Sequence, residues 1–108
     1  MAQKSDVGQK IYGDVAPGFA DFTDRVLQDD LWNRPGLTPK ERSLVTISSL
    51  VALYRHNELP AHLKRGIANG LTREEIGEAV THLAFYAGWP VANTAVPILR
   101  KAFEEAGI

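Results

Sequence analysis

Two tetrads constrain the fold before anything else: Thr38-Pro39-Lys40-Glu41 and Thr72-Arg73-Glu74-Glu75. Each sets a threonine where its hydroxyl can accept from the backbone N–H three residues on. Each also sets a glutamate where its carboxylate can reach back to the threonine N–H. That reciprocal pairing works only at the start of a helix. The first tetrad adds a proline at the first helical position, where its missing N–H costs nothing. No segment alternates apolar and polar residues on either side of a turn dipeptide, so strands are not expected. The expected class is all-α, a bundle of about five to six helices.

The remaining punctuation fills in the helices. Residues 5–12 carry a weak signal for a short helix. Pro17 opens a helix reaching about Leu31, with Phe19, Phe22, Val26 and Leu27 on one side, and Trp32-Asn33-Arg34-Pro35-Gly36 reads as a turn. The helix from Thr38 to about Tyr54 is apolar nearly all round, through Leu44, Val45, Ile47, Leu50, Val51, Leu53 and Tyr54. Such a helix must be covered on more than one side, so it is central or shared with a second subunit. Asn57 is a plausible N-cap for a third helix ending near Asn69, with Gly70 suited to a left-handed C′ position. A fourth helix starts at Thr72, buries Ile76, Val80, Leu83 and Ala84, and stops at Gly88. Pro90 opens the last one, which ends before Gly107. Pro97 lies inside it and removes the bond to Asn93.

At 108 residues the chain is read as one domain, 1–108. Its net charge of −1 gives no strong attraction to nucleic acid or to anionic membrane, so neither is an expected partner. No apolar run approaches the roughly 20 residues of a membrane span. The start, Met1-Ala2-Gln3-Lys4-Ser5-Asp6, lacks a leader's apolar stretch, and the expected location is the cytoplasm. There is no cysteine. Disulfides, thiolate metal sites and thiol peroxidase chemistry are therefore excluded.

Proton chemistry has one local candidate. Glu58 and His62 lie four residues apart, a spacing that puts carboxylate and imidazole on one helix face.

Three blocks carry a resemblance to a known family. The first is Leu31-Trp32-Asn33-Arg34-Pro35-Gly36-Leu37 with Arg42-Ser43-Leu44-Val45-Thr46-Ile47. The second is Asn57-Glu58-Leu59-Pro60-Ala61-His62-Leu63 with Asn69-Gly70-Leu71-Thr72 and Glu75-Ile76. The third is His82-Leu83-Ala84-Phe85-Tyr86-Ala87-Gly88-Trp89-Pro90-Val91-Ala92-Asn93. Together, from about Asp30 to Lys101, they resemble the carboxymuconolactone decarboxylase family of the alkylhydroperoxidase D-like superfamily. The resemblance implies an all-helical subunit assembling as a homo-oligomer, a trimer or homohexamer. It also implies a pocket in which Glu58, His62 and His82 match polar positions. Decarboxylases of protocatechuate breakdown carry a cysteine and a histidine where this chain has Ala87 and Thr94, so the fold transfers more firmly than the substrate.

The family reaction releases carbon dioxide from 4-carboxymuconolactone without a metal or organic cofactor, and none is expected here. The lactone accepts the electrons as a dienolate. The protein's tasks are to desolvate the carboxylate, stabilise the enolate and return a proton to carbon. One donor aimed at developing charge supplies about 2.7–4 kcal/mol. A positioned acid adds on the order of 10²–10⁴ in rate. Catalytic roles fall to Glu58, His62 and His82: one imidazole donates the proton, and Glu58 orients His62 and stabilises its charged form. Arg42, Tyr86 and Trp89 are substrate-binding candidates. Arg42 suits a bidentate carboxylate, and Tyr86 is four residues from His82.

Each of these has a plainer reading beside it. Glu58–His62 can be an exposed helix pair, His82 a core histidine, and Arg42 an inter-subunit salt bridge. Trp32 and Trp89 can be packing anchors, and Lys64-Arg65 a solvated face. Glu58, His62 and His82 could also make a one-carboxylate, two-imidazole metal site. The non-catalytic alternative is a ring-forming scaffold or binding protein.

Overall fold

The computed structural model describes residues 4–108. The leader reading rests partly on Met1, Ala2 and Gln3, which lie outside the described residues. Helices α1 (Val7–Tyr12), α2 (Pro17–Asp21), α3 (Pro39–Ala52), α4 (Leu59–Ala68), α5 (Arg73–Tyr86) and α6 (Trp89–Ala106) follow one another, with no strand among the described residues. The chain divides into two compact units, Met1–Thr38 and Pro39–Ile108.

In the first unit, α1 does not start on a local cap. Its N-cap residue, Asp6, makes no side-chain capping bond. The Asp24 carboxylate instead accepts from the Gly8 N–H at 2.7 Å, the Gln9 N–H at 2.9 Å and the Ser5 hydroxyl at 2.8 Å. Burial acts to raise the Asp24 pKa, but these three donors outweigh it and hold the carboxyl below its ordinary range. Asp24 is brought there by an unusual stretch. The helix expected from Pro17 to Leu31 is α-helical only to Asp21, then becomes a π-helix over Phe22–Gln28 and a 3₁₀ turn over Leu31–Asn33. Gly8 must be glycine, because a Cβ there would stand 2.6 Å from the Ala20 carbonyl oxygen and 2.7 Å from Thr23 Cβ. Phe19, Phe22, Val26 and Leu27 line one exposed apolar groove rather than a buried side. Trp32 is buried, as a packing anchor would be.

In the second unit, α3 packs against α4, α5 and α6, which makes it central within this unit. Helix α6 likewise touches α3, α4 and α5. Helices α4 and α5 thus flank the α3–α6 pair. The core is Ile47, Val51, Leu59, Leu63, Ile76, Val80, Val91, Leu99 and Phe103. Val45 and Leu53 are exposed, so the chain covers only part of the circumference of α3.

Caps fix the ends. At α5 both arms of the capping box are present: Glu75 N–H donates to Thr72 Oγ1 at 3.0 Å, and Thr72 N–H to Glu75 Oε1 at 2.9 Å. The Lys40 ammonium also reaches Glu75, at 3.0 Å. Helix α4 ends as expected: Leu71 N–H donates to the Gly66 carbonyl and Gly70 N–H to that of Ile67, with Gly70 at φ 105°. The same paired bonds close α3, from Arg55 N–H to Leu50 and from Tyr54 N–H to Val51. There the left-handed residue is Tyr54, at φ 57°, where glycine is usual. Helix α6 continues through Pro97 to a third such end at Gly107. Among the described residues, no helix is long and apolar enough to cross a membrane.

Candidate active site

Helix α4 begins one residue later than the pattern suggested. Glu58, not Asn57, is the N-cap, and its side chain makes no capping bond. The carboxylate turns back to Arg55, whose Nη2 lies 2.8 Å from Oε1. The Arg55 hydrogen bond and charge hold the Glu58 carboxyl below its ordinary range. Glu58 is exposed and His62 half-buried. The backbone N–H of His62 donates to the Glu58 carbonyl at 3.4 Å.

His62 sits beside the buried stripe Leu59, Leu63 and Gly66. It shares one flank of α4 with Arg65 and Asn69, three and seven residues on. That flank faces α3: the Asn69 amide donates to the buried Ser43 hydroxyl at 3.0 Å. The helices are close here. A Cβ on Gly66 would stand 2.8 Å from Ile47 Cδ1 and 2.9 Å from Leu71 Cδ1. Arg42, next to Ser43, is half-buried, and its Nε is sealed from solvent, as is His62 Nδ1.

Electrostatics on this flank favour a neutral imidazole. Burial pushes the His62 pKa below its ordinary 6.5, and the Arg65 charge pushes it the same way. Burial also lowers the Arg65 pKa, though from so high a value that the guanidinium stays charged. Arg65 is therefore a half-buried cation next to the imidazole, and the solvated-face reading holds only for Lys64, which is exposed. The missed signal was its three-residue spacing from His62.

The other candidates lie on the α5–α6 corner. His82 is exposed, not a core histidine, and stacks on Tyr86 with ring centroids 4.7 Å apart and planes at 18°. Trp89 is 65% exposed and meets Phe85 edge-on at 5.6 Å, so the packing-anchor reading fails for it. The six expected site residues thus fall into separate neighbourhoods: Glu58 with Arg55 just ahead of α4, His62 with Arg65 on the flank of α4, Arg42 in the first turn of α3, and His82, Tyr86 and Trp89 at the corner. Among the described residues, no group of three or more His, Asp or Glu side chains is placed to hold a metal ion. The unit's large apolar groove, about 760 Å³, runs along the opposite flank of α4 between Pro60, Ala61, Lys64 and Ile67 and the Pro97, Ile98 and Lys101 side of α6. None of the six lines it.

Helix order and the absence of cysteine define an all-helical protein without thiol chemistry. A family model described as the carboxymuconolactone decarboxylase family matches residues 17–101. The chain belongs to that family. It is 40% identical over 95 residues to the 4-carboxymuconolactone decarboxylase of Acinetobacter baylyi (strain ATCC 33305 / BD413 / ADP1), a match covering 88% of this chain and 71% of the relative. It is 39% identical over 75 residues to a nitrosuccinic acid decarboxylase of Metarhizium robertsii (strain ARSEF 23 / ATCC MYA-3075), covering 69% of this chain. The chain spans about half the length of that second relative, 52%. Both relatives are carboxy-lyases by name, and the chain is decarboxylase-like.

Proposed function

We propose that the chain is a cofactor-independent carboxy-lyase whose substrate is a small acid with its leaving carboxylate next to an electron sink. The single observation that carries this is His62, half-buried beside Arg65 on the flank of α4 that faces α3, in a member of this family. The relatives' names describe a carboxylated lactone and a nitro diacid. In both, the electrons left by carbon dioxide can settle on oxygen, as a dienolate or a nitronate.

The reaction balances simply. The carbon–carboxylate bond breaks, carbon dioxide leaves, and the electron pair delocalises into the sink. Arg65 and Arg42 attract the anionic substrate and stabilise the developing oxyanion. The bound anion opposes the Arg65 charge, so His62 takes up a proton from solvent and delivers it to carbon. A lowered pKa makes the imidazolium the stronger acid. Glu58 sits one helical turn before His62, but its carboxylate is engaged by Arg55 rather than by the imidazole. His82 with the Tyr86 hydroxyl is the second proton source, and Trp89 is an apolar wall for the substrate. The working form on this reading is a cytoplasmic homo-oligomer, a trimer or hexamer, in the breakdown of aromatic compounds.

The test is carbon dioxide release from a panel of carboxylated butenolides, nitrosuccinate and β-keto acids by wild type, His62→Ala and His82→Ala. Loss of at least about 100-fold in kcat with His62→Ala, at unchanged helicity, supports the assignment. Unchanged turnover in that variant removes His62 from the mechanism. Wild type inactive on every acid, yet stabilised thermally by one of them, would favour the binding-protein alternative.

A further inference from the structure

The groove on the far flank of α4 from His62 plays no part in the reaction proposed above. Its volume, about 760 Å³, falls within the range of hollows that hold small molecules. Small side chains open it. Ala61 and Ala68 stand on the α4 wall, and Ala102 and Ala106 on the α6 wall. Half-buried Ile67 and Ile98 add larger apolar surface, one from each helix. The α4 wall runs from Pro60 to Ala68, about 12 Å along the helix axis.

Charge identifies the occupant. Each wall carries one lysine, Lys64 on α4 and Lys101 on α6, and both are exposed. A lysine lays its methylene stem along apolar surface and keeps its ammonium at the rim. Glu105 is the one carboxylate in the lining, a helical turn beyond Lys101. Among the described residues it forms no salt bridge with either lysine. The groove thus offers two ammonium groups beside an apolar bed. An apolar cation would be repelled by both, and a neutral apolar molecule would leave both charges unused. A second copy of the chain suits the groove poorly, because about a two-fold axis lysine would meet lysine.

We infer that the α4–α6 groove binds an apolar carboxylate, with its chain or ring against Ile67 and Ile98 and its charge between Lys64 and Lys101. None of the residues assigned to the reaction lines the groove. The inference therefore holds whether or not the chain is a carboxy-lyase.

Decanoate and 2-naphthoate are the probes, one an extended chain and the other a fused ring. Isothermal titration of wild type should show saturable binding of at least one of them, and the tighter of the two tells chain from ring. Amide shift changes should fall on groove residues such as Lys64, Ile67 and Ile98. Decyltrimethylammonium, with the same chain as decanoate and the opposite charge, should bind at least about tenfold more weakly. The Lys64→Gln, Lys101→Gln double variant should lose about tenfold in carboxylate affinity and with it the preference over the cation. Ala61→Trp, which fills the groove from an exposed position and keeps both lysines, should block both probes at unchanged helicity. The proposal is overturned by no saturable binding of either acid, by equal affinity for cation and carboxylate, or by an affinity indifferent to the glutamine pair. Shift changes confined to the His62 flank overturn it too. So does a groove already filled by a second copy, read as a wild type above one chain mass that Ala61→Trp reduces to one.

Discussion

The guanidinium of Arg55 donates to the carboxylate of Glu58 across 2.8 Å, just ahead of α4. This pair, rather than Glu58 with His62, sets the Glu58 charge. Its hydrogen bond and its positive charge both lower the Glu58 pKa from the ordinary 4.5. The stability it contributes is present above 4.5 and lost as pH falls through the lowered folded-state value. A carbon-13 carboxyl titration should find the Glu58 midpoint below 4.5. Arg55→Ala should move it back up, and a midpoint indifferent to that change would break the assignment.

His62 carries the opposite group chemistry and the same direction in pH. With its folded pKa depressed by burial first and Arg65 second, the native state resists protonation more than the unfolded chain does. Stability is therefore full above about 6.5 and declines as pH drops through the folded value. Imidazole proton shifts should titrate below 6.5 in wild type. Arg65→Gln should recover only part of the shift, because burial remains. On the proposed mechanism kcat/KM falls as pH rises through the same midpoint. A rate that climbs there would mean the neutral imidazole is the active form.

Gly66 sits at a tight point where α4 packs on α3. Gly66→Ala would force a Cβ against the Ile47 and Leu71 methyls at 2.8 and 2.9 Å. The expected loss is about 1–3 kcal/mol in urea unfolding, the usual cost of overpacking. A variant as stable as wild type would show that the seam yields easily.

Tyr54 sits in the left-handed region at the end of α3. Its ring is half-exposed and meets His56 edge-on at 5.5 Å. Relief of the backbone strain should outweigh that contact. Tyr54→Gly is expected to stabilise by roughly 1 kcal/mol, read as a higher urea midpoint at constant slope. If stability falls instead, the ring contributes more than its contacts suggest.

Removing the remote cap should release the first helix. In Asp24→Ala the amides of Gly8 and Gln9 lose their acceptor. Their hydrogen-exchange protection should drop, while amides of the Pro39–Ile108 unit keep theirs.

What could be read from the chain follows from how local each cause is. The Thr72–Glu75 box and the Gly70 and Gly107 ends depend on residues within a few positions, and each appears where the pattern put it. The α1 cap does not, since Asp24 lies sixteen residues from Gly8, and no helix signal in residues 5–12 encodes it. Glu58 had two local choices, Arg55 before it and His62 after it. Arg55 prevails because a guanidinium is always charged, whereas burial and Arg65 press the imidazole toward neutrality. Arg65 was passed over because an arginine beside a lysine looks like surface, and only the packing of Ser43, Gly66 and Asn69 shows that its flank of α4 turns inward. Trp89 read as a packing anchor because aromatic residues are usually interior, yet it stands 65% exposed.

The π winding of Phe22–Gln28 ties chain length to the start of α1 in the first unit. A π turn holds about one residue more than an α turn, and the Asp29 N–H reaches five residues back to the Asp24 carbonyl. Shortening this stretch by one residue would restore ordinary winding, but it would also rephase the helix by about 100° per residue removed. Asp24 would swing off Gly8 and Gln9. A deletion that looks harmless on a helical surface should therefore undo the start of the chain, whereas conservative replacements at the same positions should be tolerated.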